Sequence, residues 1–314
     1  MLLASALLGL LAVALAWPVP LALARARWVD VAPVEALVLW QAIALAGVLS
    51  LIGALLTAGL APYGDHLLQA ASVLVQSVVV GALPSGASLL SLVGVSAALL
   101  LGAHLLLNLL VTGVQVQQQR QRHLDLLLLL STPLPDVPRT RLLDTPAPVA
   151  YCLPGSAQRV TVLSAGLLEL LAPEEVDAVV LHERAHLRQH HDVVLVAFRA
   201  WRVALPWFPV ANRAQDAVGL LIEMVADDRA RTTAATTTLA HAIGVVAAGT
   251  RGDTAPRPPA LPAADPVSLQ RRISRLEQPG RTLSPLFRYG VGAGAVGLVV
   301  VPTVLLLLPA LLGE

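Results

Sequence analysis

The sequence predicts a mainly α-helical chain that crosses a membrane about four times and carries one mostly helical domain with a small β element. Three observations lead there. Hydrophobic residues make up 56% of the 314 residues and charged residues 13%, and the mean hydropathy of +0.73 lies far from that of an ordinary globular domain. Four apolar runs are long enough to cross a hydrocarbon core of about 30 Å. Between the third and fourth runs, two short strand-like stretches at 149–153 and 159–163 precede a series of helical patterns.

The first run, residues 2–24, has no basic segment before it and is too long for a signal-peptide core, so it reads as a retained span. Arg25 and Arg27 follow it directly. Residues 34–61 and 87–116 form the second and third spans, and 289–314 the fourth span with a short C-terminus. The stretch 66–84 is apolar but interrupted by Gln69, Ser72, Gln76 and Ser77. Arg25 and Arg27 on one side, and Arg120, Arg122, Arg139 and Arg141 on the other, should share the cytoplasmic face, while residues 61–86 carry no Arg. An even number of crossings must separate the two groups, which makes 66–84 an interfacial segment at the outer surface of a plasma-membrane protein. In the third span His104 and Asn108 stand one turn apart at membrane depth, where polar side chains are candidates for a role in sensing or, as the simpler reading, for an interhelical hydrogen bond.

Residues 117–288 then form a cytoplasmic domain, ample for one core. It opens with a Leu run at 126–130, read as a buried helical turn, and a Pro-rich loop at 131–148. After the strands, residues 172–192 read as one helix, with Pro173 suited to a first turn and Glu174, Glu175 and Asp177 near the positive end of its dipole. Residues 193–212 are apolar but broken by Arg199, Arg202, Pro206 and Pro209, which suits an amphipathic helix on the inner membrane surface with Trp201, Trp207 and Phe208 at headgroup level. Stretches 232–238 and 249–265 read as a linker and a mobile loop.

A net charge of +1 gives no reason to expect a nucleic-acid partner, and all 21 basic residues are Arg. Cys152 is the single cysteine, which excludes an intramolecular disulfide.

The chemistry concentrates in His182-Glu183-Arg184-Ala185-His186. Residues four apart on a helix project from one face about one turn apart, so His182 and His186 can hold the same ion with Glu183 beside it. Zinc held this way lowers the pKa of its water from about 15.7 to roughly 7, and a neighbouring carboxylate can take the proton as the water attacks a peptide carbonyl. A third protein ligand is needed. Gln189 and Asp192 stand where one zinc-peptidase pattern has glycine and a third histidine, which disfavours that pattern, although Asp192 is not excluded. His190 lies about 12 Å along the helix from His182 and reads as a surface residue. The stronger candidates are Glu223 and Asp227, on one face of an otherwise apolar helix: one can bind the ion while the other accepts a hydrogen bond from a ligand histidine.

The pair HERAH and EMVAD resembles the gluzincin-type membrane peptidases of the M48 and M56 groups. The stretches 149–155, 159–171 and 268–279 are similar to segments those peptidases carry, and the hydrophobic layout favours the M56, BlaR/MecR-like group in a short form without the penicillin-binding sensor domain. The resemblance implies Zn2+ on His182, His186 and Glu223, with Glu183 as general base and Asp227 behind the ligands. It further implies a signalling endopeptidase that cleaves a cytoplasmic BlaI/MecI-like transcriptional repressor. With no Lys there is no Ser-x-x-Lys acylation site, so no covalent β-lactam binding is expected. The alternatives are an M48-type membrane quality-control or CAAX-type peptidase, and a non-catalytic membrane signalling scaffold.

Overall fold

The computed structural model describes all residues except 83–85, 135–139, 154–159, 190, 207–208, 250–265, 279–282 and 313–314. From the N-terminus, α1 (Leu2–Ala16), α2 (Pro18–Arg25), α3 (Pro33–Leu60), α4 (Leu67–Val80) and α5 (Leu89–Leu130) precede strands β1 (Ser131–Pro133), β2 (Thr140–Leu143), β3 (Ala150–Leu153) and β4 (Val160–Ser164). Helices α6 (Ala165–Leu170), α7 (Pro173–Arg188), α8 (His191–Ala204), α9 (Pro209–Ala230), α10 (Thr236–Gly249), α11 (Pro266–Glu277) and α12 (Pro285–Leu312) follow. The protein is thus a mainly α, multi-pass membrane protein with a small sheet, and among the described residues four helical stretches are long and apolar enough to span: Leu2–Arg25, Pro33–Tyr63, Leu89–Leu130 and Pro285–Leu307.

The chain divides into two compact units. The first holds α1 to α4, α5 as far as Asn108, and α12. The stretch 2–24 is not one straight helix, because Pro18 lacks an N–H and the helix restarts at that residue. In this unit α3 packs against both α1 and α12, burying Leu8, Leu15, Trp40 and Ile43. Small residues set the spacing, as is usual where lipid supplies no hydrophobic drive between helices. A side chain on Gly59 would meet the backbone N of Val95 at 2.6 Å, and Ser5 Oγ donates to the Ala54 carbonyl at 2.9 Å. α4 has 14 residues, about 21 Å and short of a crossing. It buries Ala70 and exposes Leu68, Val75, Val78 and Val79.

The second unit runs from Leu109 through the sheet and helices to residue 282, apart from residues 207–210. Here α5 continues without a break to Leu130, and the Leu run at 126–130 is its last turn, with Leu127 alone buried. The Pro-rich stretch after it contributes two strands that alternation did not disclose, since each is only three or four residues long. The sheet order is β1-β2-β4-β3, with β2 and β4 parallel and both outer pairs antiparallel, so β3 is an edge strand. Ser164 ends β4 and starts α6, its hydroxyl accepting from the N–H groups of Leu167 at 3.1 Å and Val149 at 2.8 Å.

One core joins Leu163, Leu167, Leu171, Val179 and Ala242, and a second joins Ala178, Ala230, Leu239, Ala240 and Leu276. Together they fix α7 between the sheet and α10, which is why its opposite face is free to carry chemistry. The predicted helix over 172–192 ends at Arg188, and a new helix starts at His191. The stretch 193–212 is likewise two elements, α8 and the start of α9. α8 turns Leu195 and Phe198 into the protein, leaving Val193 and Val203 as its exposed large apolar groups. The linker expected at 232–238 is shorter, because α10 begins at Thr236. Trp207, Phe208, His190 and nearly all of the expected loop 249–265 lie outside the described residues.

Candidate metal centre

α7 carries His182, Glu183 and His186, and α9 carries Glu223 and Asp227. The Nε2 atoms of His182 and His186 lie 3.1 Å apart. Glu223 Oε2 is 3.4 Å from His182 Nε2, and Glu223 Oε1 is 3.5 Å from His186 Nε2. Zinc bonds of about 2.05 Å at the tetrahedral angle separate ligand atoms by roughly 3.3 Å. Each histidine Nε2 faces a different oxygen of Glu223, one ligand atom from each of the three residues lies within 4.8 Å of the others, and two imidazoles with one carboxylate are a donor set zinc accepts. Residues and geometry therefore fit the ion the sequence implies.

Behind the ligands, His182 Nδ1 faces Asp227 Oδ1 at 2.9 Å. That contact leaves Nε2 as the free donor atom. Asp227, 1% exposed, is also gripped by Arg272 of α11, which donates from Nε to Oδ2 and from Nη2 to Oδ1, both at 2.8 Å. Arg272 Nη1 reaches Glu223 Oε2 at 2.8 Å, so one guanidinium holds both buried carboxylates. Asp192 is not at the centre; its carboxylate pairs with Arg120 at 2.7 Å.

Burial opposes ionisation of Glu223 and Asp227, yet Arg272 and the histidines overcome it, holding Glu223 well below the usual carboxylate range and Asp227 at about 2. Burial also works against a charge on His182, but Asp227 and Glu223 outweigh it and raise its pKa to about 10. His186 has Glu223 beside it but no carboxylate at its Nδ1, and burial outweighs Glu223 and pushes it down to about 3. Two ionised carboxylates thus flank imidazoles whose Nε2 atoms converge, an environment suited to a cation. Glu183 differs from both: burial raises its carboxyl to about 7, while the backbone N–H of Cys152 on β3 donates to it. A carboxyl poised near neutrality is what a general base requires.

Two residues escaped the sequence reading. Arg272 sits on the apolar stripe Leu269–Ile273–Leu276 of α11, and a cation on a buried stripe signals a buried acid partner. His191 is 3% exposed, with its Nδ1 3.0 Å from His186 Nδ1. On a straight helix, residues five apart point about 140° away from each other. The break after Arg188 is what brings these two rings together.

Residues 115–250 match the model of peptidase family M48, a family of zinc metallopeptidases. The match spans the end of α5, the sheet and α6 to α10, and contains His182, Glu183, His186, Glu223 and Asp227. It overturns the expected M56, BlaR/MecR-like assignment, which rested on hydrophobic layout, a property any polytopic peptidase shares. No solved structure matches the chain. This protein is a membrane metallopeptidase, similar in its catalytic region to the M48 group.

Proposed function

We propose that the protein is an M48-type integral membrane zinc endopeptidase whose substrates are other membrane proteins, and that it serves membrane quality control. The convergence of His182, His186 and Glu223 carries this reading, since one ligand atom from each lies within 4.8 Å of the others, close enough to share one ion. His182, His186 and Glu223 hold the ion, and Asp227 fixes the tautomer of His182. When bound, zinc supplies the Lewis acid that makes water nucleophilic near neutral pH. Glu183 accepts the proton from the attacking water at its carboxylate and passes it to the nitrogen of the leaving amine. The N–H of Cys152 orients that carboxylate, and Arg272 keeps the buried acids in register.

Membrane substrates are supported by the way the catalytic region is tethered. α5 leaves its apolar stretch near Val116 and continues as the same helix to Leu130, directly before β1, so in sequence the peptidase region follows the span without a separate linker. The positive-inside bias of Arg25, Arg27, Arg120 and Arg122 supports a cytoplasmic peptidase at the plasma membrane. The repressor substrate lost its basis with the M56 assignment, and no comparable observation favours a CAAX-type specificity or a scaffold.

Substrate trapping tests the reading. Glu183→Gln, isolated from native membranes, is expected to retain polytopic membrane proteins that the wild type degrades. Recovery of a small DNA-binding repressor or of chains ending in a lipidated cysteine would overturn the quality-control role, and a Glu183→Gln protein that cleaves at the wild-type rate would overturn the mechanism.

A further inference from the structure

Metal-bound imidazoles nearly always donate their second N–H to a fixed acceptor, and the two ligand histidines here solve this differently. His182 has Asp227. His186 has His191, whose Nδ1 stands 3.0 Å from its own Nδ1. If His186 offers Nε2 to an ion, its proton resides on Nδ1, and only an acceptor can face it there. His191 must then be the neutral tautomer with its proton on Nε2. The rings meet edge to face, with centroids 5.1 Å apart and planes 82° from parallel.

His191 is the first residue of α8, and its neighbour Asp192 is paired with Arg120 of α5 at 2.7 Å, with the two side chains 34% and 18% exposed. The charged groups of this assembly are Asp192 and Arg120 on its outer side and Glu223 on the metal side. The first turn of α8 is therefore clamped by α5 on one side and by a ligand histidine on the other.

We propose that His191 is a positioning residue for the metal ligand His186, and that the Arg120–Asp192 ion pair holds it in place, tying zinc affinity to the part of α5 that follows the membrane span. The inference rests on the zinc reading above.

The test measures zinc dissociation by chelator competition, and the visible spectrum of the Co2+-substituted full-length protein, in detergent. His191→Phe keeps the ring volume and removes the acceptor. It is expected to weaken zinc by about 10- to 100-fold and to alter the Co2+ ligand-field bands. His191→Gln, which restores an acceptor, should recover most of both. Asp192→Asn, a partly exposed change that leaves the core alone, should weaken zinc by a few-fold, and Arg120→Gln/Asp192→Asn should be no weaker than either single variant. Zinc affinity within twofold of wild type in His191→Phe overturns the proposal, as does loss in His191→Gln equal to that in His191→Phe. Wild-type affinity in Asp192→Asn overturns the clamp. If the wild type itself binds no zinc through His182, His186 and Glu223, it is the metallopeptidase site that fails, a result distinct from all of these.

Discussion

Arg272 shows how much of this centre depends on one side chain. It is the sole guanidinium seen to touch Glu223 and Asp227 among the described residues, and together with the histidines it favours their ionised forms against burial. Arg272→Ala leaves two buried anions without their cation and is expected to cost about 3–5 kcal/mol of stability, read as a lowered melting temperature in detergent. Arg272→Lys should recover only part of that, because an ammonium cannot reproduce the bidentate grip on Asp227. A melting temperature unchanged in Arg272→Ala would show the acids to be solvated. Glu183→Gln has the opposite profile: zinc content and melting unchanged, peptide cleavage abolished, as metal analysis beside a cleavage assay will show.

At the scale of elements, the site depends on where α7 begins and what it leans on. Gly166, at the start of α6, sits so close to the preceding loop that an added Cβ would come within 1.9 Å of the Pro146 carbonyl oxygen. Gly166→Ala must displace backbone and with it the β4–α6 junction on which Leu167 and Val179 pack. The expected loss is about 2–3 kcal/mol, measured by chemical denaturation, with zinc affinity falling alongside. In the membrane unit Gly59 plays a comparable part, since a Cβ there meets Val95 N at 2.6 Å. Gly59→Ala is expected to lower the melting temperature while leaving the zinc affinity of the folded protein intact.

For the whole molecule, metal binding and folding are linked. Zinc present at 1,000 times its dissociation constant adds about 4 kcal/mol to the folded state, so a strong chelator should lower the melting temperature and added zinc restore it. His182→Ala/His186→Ala should show no such response, and a response in that variant would place the ion elsewhere. The proposed cytoplasmic orientation has its own check. In a Cys152→Ser background, Asp30→Cys should be protected from an impermeant thiol reagent in intact cells and Asp65→Cys should react. Labelling in the reverse pattern would put the peptidase outside.

Composition, run length and one spacing were enough to read a four-span, mainly α chain with a zinc-peptidase motif, because a bilayer imposes length and a metal imposes i, i+4 periodicity on any chain that meets them. Local pattern also picked out Glu223 and Asp227, since two acids on one face of an apolar helix stand out. The same reading named the wrong family from hydrophobic layout, which records the solvent and not the ancestry. Only the tertiary structure decided that His191 turns back onto His186, that Asp192 belongs to Arg120 and not to the metal, and that Arg272 closes the centre from 45 residues beyond Asp227. Those contacts arise where a helix breaks or where two distant helices cross, and a one-dimensional pattern carries no record of which faces meet.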